Sequence, residues 1–230
     1  MKDDMLEGKF LRRVRSFVRR EGRITIGQQR ALDEHWGTFG IDYAEQPLDL
    51  DLLYGRQAVR NLEIGFGNGE ALLSMAANHP DEDFLGLEVF TAGAGQVIAQ
   101  ALEQNMTNIR VMLADAVEVL THMIPAESFD NIYIFFPDPW HKKRHNKRRL
   151  INDQFLELLV AKLKPGANLH LATDWENYAE QMLEVLSRST ALKNQHDGYA
   201  PRNERRPVTK FERRGQRLGH GVWDLHFRRS

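Results

Sequence analysis

Asp138 lies between Pro137 and Pro139, two residues ahead of Trp140, and residues 141–149 then hold six Lys/Arg and no acid. A carboxylate accepts hydrogen bonds from the N–H edge of a base or amine, an indole offers a stacking face, and a cationic run holds phosphates. The two prolines lack amide donors and restrict the residues before them, so they force the chain out of any sheet at this point. The alternative is a structural corner with Trp140 packed inside. His141 and His145 have a spacing that a metal site could use, but Lys142, Lys143 and Arg144 between them would repel a cation. No metal is expected here, and phosphate contact is favoured.

A second cluster is Glu63-Ile64-Gly65-Phe66-Gly67-Asn68-Gly69-Glu70. Glycines at alternate positions let a backbone pass close to a ligand, and the helix that follows offers free amides. A dinucleotide fingerprint would want its third glycine where Glu70 stands, and a carboxylate there opposes a pyrophosphate. The pattern suits a ligand without phosphates, such as the amino-acid end of S-adenosylmethionine; a tight turn with no ligand is the alternative. Glu88 follows Glu63 by 25 positions and could take the ribose hydroxyls of an adenosine, or be a solvated strand end. Asp115 could meet an adenine amino group or cap the helix after it. Asp174 could face a substrate or cap a helix. Thr209, Lys210, Phe211 and Glu212 pack polar, charged and aromatic groups ahead of the last strand and could close over a base.

The elements that must position these groups alternate along the chain. Apolar runs with β-branched and aromatic residues predict strands at 59–64, 83–89, 108–113, 129–136, 167–173, 191–197 and 222–228. Helical spacing predicts helices at 70–79, 91–105, 116–124, 150–163 and 175–186. Alternation at this repeat implies an α/β fold, a doubly wound, mostly parallel seven-stranded sheet covered on both faces. Residues 1–30 lack a clean helical period, and residues 1–40 are expected to be a basic, flexible extension. Residues 41–230 are expected to form the folded domain.

The net charge of −1 conceals a segregation. Residues 1–30, 141–149 and 201–217 together carry 22 of the 31 Lys/Arg and only 6 of the 32 Asp/Glu. Three basic blocks on an acidic body point to a polyanionic partner rather than to ordinary solvation. The absence of cysteine excludes disulfides, thiolate metal sites and a cysteine nucleophile. No apolar run approaches the roughly 20 residues that span a bilayer. The opening MKDDMLEGKF has no apolar signal segment, so a cytoplasmic protein without membrane partners is expected.

Taken together, Glu63-Ile-Gly-Phe-Gly-x-Gly, Phe136-Pro-Asp-Pro-Trp-His-Lys, Arg144-His-Asn-Lys-Arg-Arg, Thr173-Asp174 and Thr209-Lys-Phe-Glu resemble the bacterial tRNA (guanine-N7-)-methyltransferase family. The glycine loop alone would indicate only a class I methyltransferase with a Rossmann-like fold. The resemblance implies methyl transfer from S-adenosylmethionine to N7 of a guanosine in the tRNA variable loop; the sequence leaves monomer and homodimer both open. It implies that Glu63, Glu88 and Asp115, beside Gly65 and Gly67, contact the cofactor. Asp138 would be the catalytic acid on the cofactor side. Lys142, Asp174 and residues 209–212 would bind substrate, and Arg144, His145, Asn146, Lys147, Arg148 and Arg149 would bind RNA. One departure is Phe90-Thr-Ala-Gly-Ala-Gly, where the family pattern has a His and a Pro after the Glu of the second strand. The alternatives are a methyltransferase of another base or amine, and a non-catalytic RNA-binding protein on the same fold.

Overall fold

The computed structural model describes residues 23–208 and 221–230, together with Ser16 and Glu212. Seven strands form one sheet in the order β3-β2-β1-β4-β5-β7-β6. These are β1 (Arg60–Ile64), β2 (Asp83–Glu88), β3 (Ile109–Leu113), β4 (Phe129–Phe135), β5 (Leu163–Thr173), β6 (Leu192–Asn194) and β7 (Trp223–Arg229). The first five run parallel, and β7 is antiparallel to both β5 and β6. The helices are α1 (Ile26–Phe39), α2 (Leu50–Tyr54), α3 (Glu70–Asn78), α4 (Thr91–Glu103), α5 (Ala116–His122), α6 (Asp153–Lys162) and α7 (Glu176–Arg188). The expected doubly wound α/β fold is therefore present.

Alternation along the parallel strands sends side chains to two cores. Leu62, Ile64, Ile132 and Ile134 join the face covered by α5, α6 and α7, where Leu120, Leu159, Met182 and Leu186 are buried. Tyr133 and Phe135 join the opposite face, with Leu72 and Met75 of α3 and Val97 and Ile98 of α4. Each such side chain contributes about 1.5–3 kcal/mol when fully buried.

Part of the expected extension belongs to this body. Residues 26–39, set apart by the reading of 1–40 as one flexible lead, form α1, which buries Ala31, Leu32 and Phe39 in the second core. A capping box starts it: the Thr25 hydroxyl accepts from Gln28 N, and the Gln28 side chain accepts from Thr25 N. Gly95 in α4 lets α1 come close, since a Cβ there would press on the backbone of Gln28. β5 also begins earlier than its sequence suggests, at Leu163 rather than 167. α6 stops at Lys162, and Leu163 pairs with Phe129, so the helix ends before Pro165-Gly166.

A polar seam crosses the middle of the sheet. Asn61 donates to Glu82, Asn131 to Asn61 and Asn168 to Asn131, and His226 Nε2 lies 3.1 Å from Asn168 Oδ1. Arg205 closes the seam with two bonds to Glu82, at 2.7 and 2.8 Å. The segment after β6 thereby reaches the start of β2. Among the described residues, no helix is long and apolar enough to cross a membrane.

Candidate active site at the carboxyl edge of the sheet

The strand order reverses between β1 and β4, which are direct neighbours. In such sheets the crevice at the carboxyl ends of the two strands is the ligand site. The glycine loop leaves β1 there, and the Pro137-Asp138-Pro139 turn leaves β4 beside it. Sequence neighbours of Glu63 and Asp138 are thus brought together across a separation of some 70 residues, as in the pairing of Glu63 with Tyr133.

The loop is built on backbone that L-residues rarely adopt: φ is +78° at Gly65, +57° at Gly67 and +78° at Gly69. Among the described residues nothing lies within 4 Å of where a Cβ of Gly65 or Gly67 would stand, so they leave the space over the loop open. Behind it the packing is tight, because a Cβ on Gly93 would overlap the carbonyl oxygen of Gly67. That close approach accounts for one glycine of the departing 90–95 segment. α4 still starts at Thr91, although Phe90 gives it no side-chain cap.

Three carboxylates surround this loop. Glu63 is 3% exposed, and its Oε2 has no hydrogen-bond partner among the described residues. Burial, and next the charge of Glu88, push its carboxyl up to about 8. Glu88 accepts from Gly67 N at 2.7 Å, Val89 N at 2.7 Å and Phe90 N at 3.2 Å. Burial still raises its pKa against those three donors, and the charge of Asp138 adds to the rise. Glu63, Glu88 and Asp138 therefore sense one another in series. Acids gathered with no cation beside them among the described residues suit a cationic ligand, and the orphaned Glu63 oxygen suits an ammonium group. The amino-acid end and sulfonium of S-adenosylmethionine have that chemistry, and the open glycine loop leaves room for it. Asp115 caps α5 by accepting from Val117 N at 2.9 Å, which occupies one of its oxygens. The capping reading of Asp115 is thus met, without consuming the second oxygen.

On the other side, Asp138 is exposed within a turn whose two flanking aromatics, Phe136 and Trp140, both have positive φ, +51° and +44°. Non-glycine residues persist there only when their surroundings hold them. Phe136 N donates to Ala172 O of β5 at 2.7 Å. Trp140 carries Arg148 over its ring at 3.9 Å, and its Nε1 donates to Ser16 O at 2.8 Å. Arg149 Nε donates to Pro139 O at 2.9 Å.

Asp174 follows β5, the strand next to β4, and is half-buried on the same edge. It does not cap α7: the cap position is Trp175, whose amide donates to Thr173 Oγ1. Lys142, Lys143, Arg144 and Lys147 are exposed along a 3-10 helix, Lys143–Arg148, with His145 and Asn146 half-buried. Partial burial, and next the neighbouring cations, hold the His145 imidazole below its ordinary value.

Two expectations need correcting. Arg149 was expected to grip RNA, but it is 2% exposed and lies over Tyr178. Its guanidinium donates to Pro139 O, Asn177 O, Asn177 Oδ1 and Gln181 Oε1. It is a strut of the turn, and no face of it remains for a phosphate. Glu212 was expected to touch substrate, but it is 1% exposed and paired with Arg206 at 2.5 Å and Arg202 at 3.2 Å. Thr209, Lys210 and Phe211 lie outside the described residues, as does most of 1–22. Sequence reasoning passed over Arg206, which is fully buried beside Glu212 and Asp224. Its only signal was a basic residue placed two before a Val and amid breakers, which is no signal of burial.

Residues 57–225 match the family described as "Putative methyltransferase". The tRNA (guanine-N(7)-)-methyltransferase of Paraburkholderia xenovorans is 60% identical over 218 residues, 95% of this chain and 84% of that protein. The enzyme of the same name from Yersinia enterocolitica is 54% identical over 225 residues, 97% of this chain and 94% of its own. Among solved structures, the 16S rRNA methyltransferase KamB aligns with a TM-score of 0.60 at 15% identity, over 80% of this chain and 95% of its own. A variant of the 16S rRNA (adenine(1408)-N(1))-methyltransferase from Catenulisporales acidiphilia, solved with cosubstrate SAM, aligns at 0.54 and 15%, over 80% and 92%. At those identities the structures speak for the fold.

Proposed function

The chain belongs to the tRNA (guanine-N7-)-methyltransferase family, and we propose how its residues carry out that reaction. It transfers a methyl group from S-adenosylmethionine to N7 of a guanosine in tRNA, forming 7-methylguanosine. On our reading it acts on the variable loop, in the cytoplasm, as a monomer or homodimer.

When bound, S-adenosylmethionine supplies an electrophilic methyl group on a positively charged sulfur. Guanine N7 carries an in-plane lone pair and no proton, so no residue has to act as a base before attack. Catalysis then rests on orientation, which can supply on the order of 7–11 kcal/mol of a barrier at best. Glu63 would receive the ammonium group, the Gly65–Gly67 backbone would pass beside the amino-acid end, and Glu88 and Asp115 would hold the ribose and adenine edges. Asp138 would accept from the N–H edge of guanine, fixing the ring and offsetting the positive charge it gains. Asp174 and residues 209–211 would complete the pocket. A base must leave its stack to enter such a site. Lys142, Lys143, Arg144 and Lys147 are exposed beside the turn and would hold phosphates, while Arg148 keeps the indole of Trp140 in place.

The observation that carries this reading is the series of three carboxylates, Glu63, Glu88 and Asp138, gathered at the β1/β4 switch around an open glycine loop. Asp138→Ala is expected to lower single-turnover methylation about 1000-fold with tRNA affinity unchanged. Full turnover in that variant would remove Asp138 from the mechanism. Nucleoside mapping of unmodified tRNA after incubation with labelled S-adenosylmethionine checks the product, and absence of 7-methylguanosine would sink the reading.

A further inference from the structure

Arg206 sits where three parts of the site meet. Its side chain is fully buried. Nη1 donates to Glu212 Oε2 at 2.5 Å, and Nη2 donates to Asp224 Oδ2 at 2.9 Å. The guanidinium lies 5.2 Å from the ring centroid of Phe136 and 5.7 Å from that of Phe135. Glu212 ends the 209–212 segment, Asp224 pairs with Ala172 two residues before Asp174, and Phe136 opens the turn that carries Asp138. Arg202 completes the cluster, donating to Glu212 Oε1 and to the carbonyl of Arg206. Among the described residues, two cations thus meet two carboxylates, Arg206 from within and Arg202 from the exposed side.

An ion pair needs neither the rings nor this location. A buried pair is weak evidence for stability, because desolvation offsets the attraction, and its best-attested use is to fix one arrangement among several. Here the arrangement fixed is a strained one. Phe136 has φ +51°, and the flat face of a guanidinium can hold its ring while the fork end holds two acids. Arg205, the next residue back, pins the same segment to Glu82. The segment is therefore anchored at two adjacent residues, one on the polar seam of the sheet and one on the active-site turn.

We propose that Arg206 is a positioning residue for methyl transfer: it locks Glu212, the Asp224 end of β7 and the Asp138 turn in one register by gripping Glu212, Asp224 and the Phe136 ring together. It touches neither base nor cofactor in this role, and it acts through Asp138. The inference rests on the reading of Asp138 given above.

Arg206→Lys tests it, because lysine keeps the charge but cannot span two acids and lie flat on a ring. Methylation at saturating tRNA and cofactor is expected to fall about 100-fold, since a small misplacement of a reacting group has that effect. Cofactor affinity, read by calorimetry, is expected to stay within about twofold, and KM for tRNA within about threefold. A folded Arg206→Lys protein with a rate within about threefold of the parent would overturn the proposal, as would a loss of cofactor affinity equal to the loss of rate. If Arg206→Lys does not fold, Phe136→Leu carries the test: it removes the ring and no charge, and about a 10-fold fall in rate with intact cofactor binding is expected. An unchanged rate there would equally overturn the idea. Asp138→Ala is run alongside. An active Asp138→Ala protein defeats the underlying reading, whereas an inactive one beside an unimpaired Arg206→Lys defeats this inference alone.

Discussion

The two halves of the carboxyl edge reach the same end, a backbone held in rare conformations, by opposite means. On the β1 side, positive φ falls on Gly65, Gly67 and Gly69, where it costs almost nothing sterically. On the β4 side it falls on Phe136 and Trp140, where each such residue costs about 1–3 kcal/mol. The first half therefore needs little side-chain support beyond Glu88, which accepts from Gly67 N, with Gly93 packed close behind the loop. The second is gripped by buried arginines, Arg149 at Pro139 and Arg206 at Phe136, and by Arg148 on the indole of Trp140. A glycine loop can be open because it bears no side chains, which suits a small ligand that enters and leaves. A turn that, on the proposed reading, presents one carboxylate to a large RNA gains from containing no glycine, which would leave its backbone too many alternatives.

The comparison predicts that the halves fail separately. The largest effect is expected for Arg149→Met. It leaves the carbonyls of Pro139 and Asn177 and the amides of Asn177 and Gln181 without their buried donor. Orphaned groups of this kind cost about 1–3 kcal/mol each, and partial rearrangement should bring the total to about 3 kcal/mol. Urea unfolding measures that loss. Cofactor affinity in the folded variant is expected to stay within about twofold, and an equal loss of affinity would show that the halves are one unit.

Gly93→Ala probes the other half. The new methyl group would overlap Gly67 O, so the loop must shift. Cofactor affinity is expected to fall about 30-fold, which is about 2 kcal/mol. The Arg149 clamp should be unaffected, so single-turnover rates at saturating cofactor should stay close to the parent's. A variant that binds cofactor normally would mean that the tight packing behind the loop does not set its conformation.

The contrast also explains what could be read from the sequence. The glycine loop, Glu88 and the proline turn are local: spacing over a few residues states the backbone path, and the alternation of elements states the sheet edge. The clamps are not local. Arg149 reads as one more cation in a run of six, and only Asn177 and Gln181, 28 and 32 residues on, make it a buried strut. Glu212 and Arg206 likewise look solvated until Asp224 and the Phe136 ring are brought beside them. α1 was not read, because Gly27 and Gly37 interrupt the period, although the structure shows a capping box of Thr25 and Gln28 at its start. Its buried face is decided by α4, which no window over residues 26–39 contains.

The last test concerns protons, and it separates the halves chemically. Burial and the charge of Glu88 raise the Glu63 carboxyl from 4.5 to about 8. Between those two values the folded chain holds a proton that the unfolded chain has released. Stability is therefore greatest at the acid end of this window, falls as pH rises through it, and levels off above about 8. Glu63→Gln removes the ionisation, so its unfolding free energy should lose that downward slope and exceed the parent's at pH 9, checked by urea titration across pH. An ammonium group brought to Glu63 favours the carboxylate, so cofactor binding near neutral pH should release up to about one proton. Calorimetry in buffers of different ionisation enthalpy measures that number. The same measurement on Asp138→Ala should give nearly the same release, because Asp138 reaches Glu63 only through Glu88. If the release vanished with Asp138 rather than with Glu63, the acid that meets the cofactor's charge would belong to the β4 half, and the division drawn between glycine loop and clamped turn would fall.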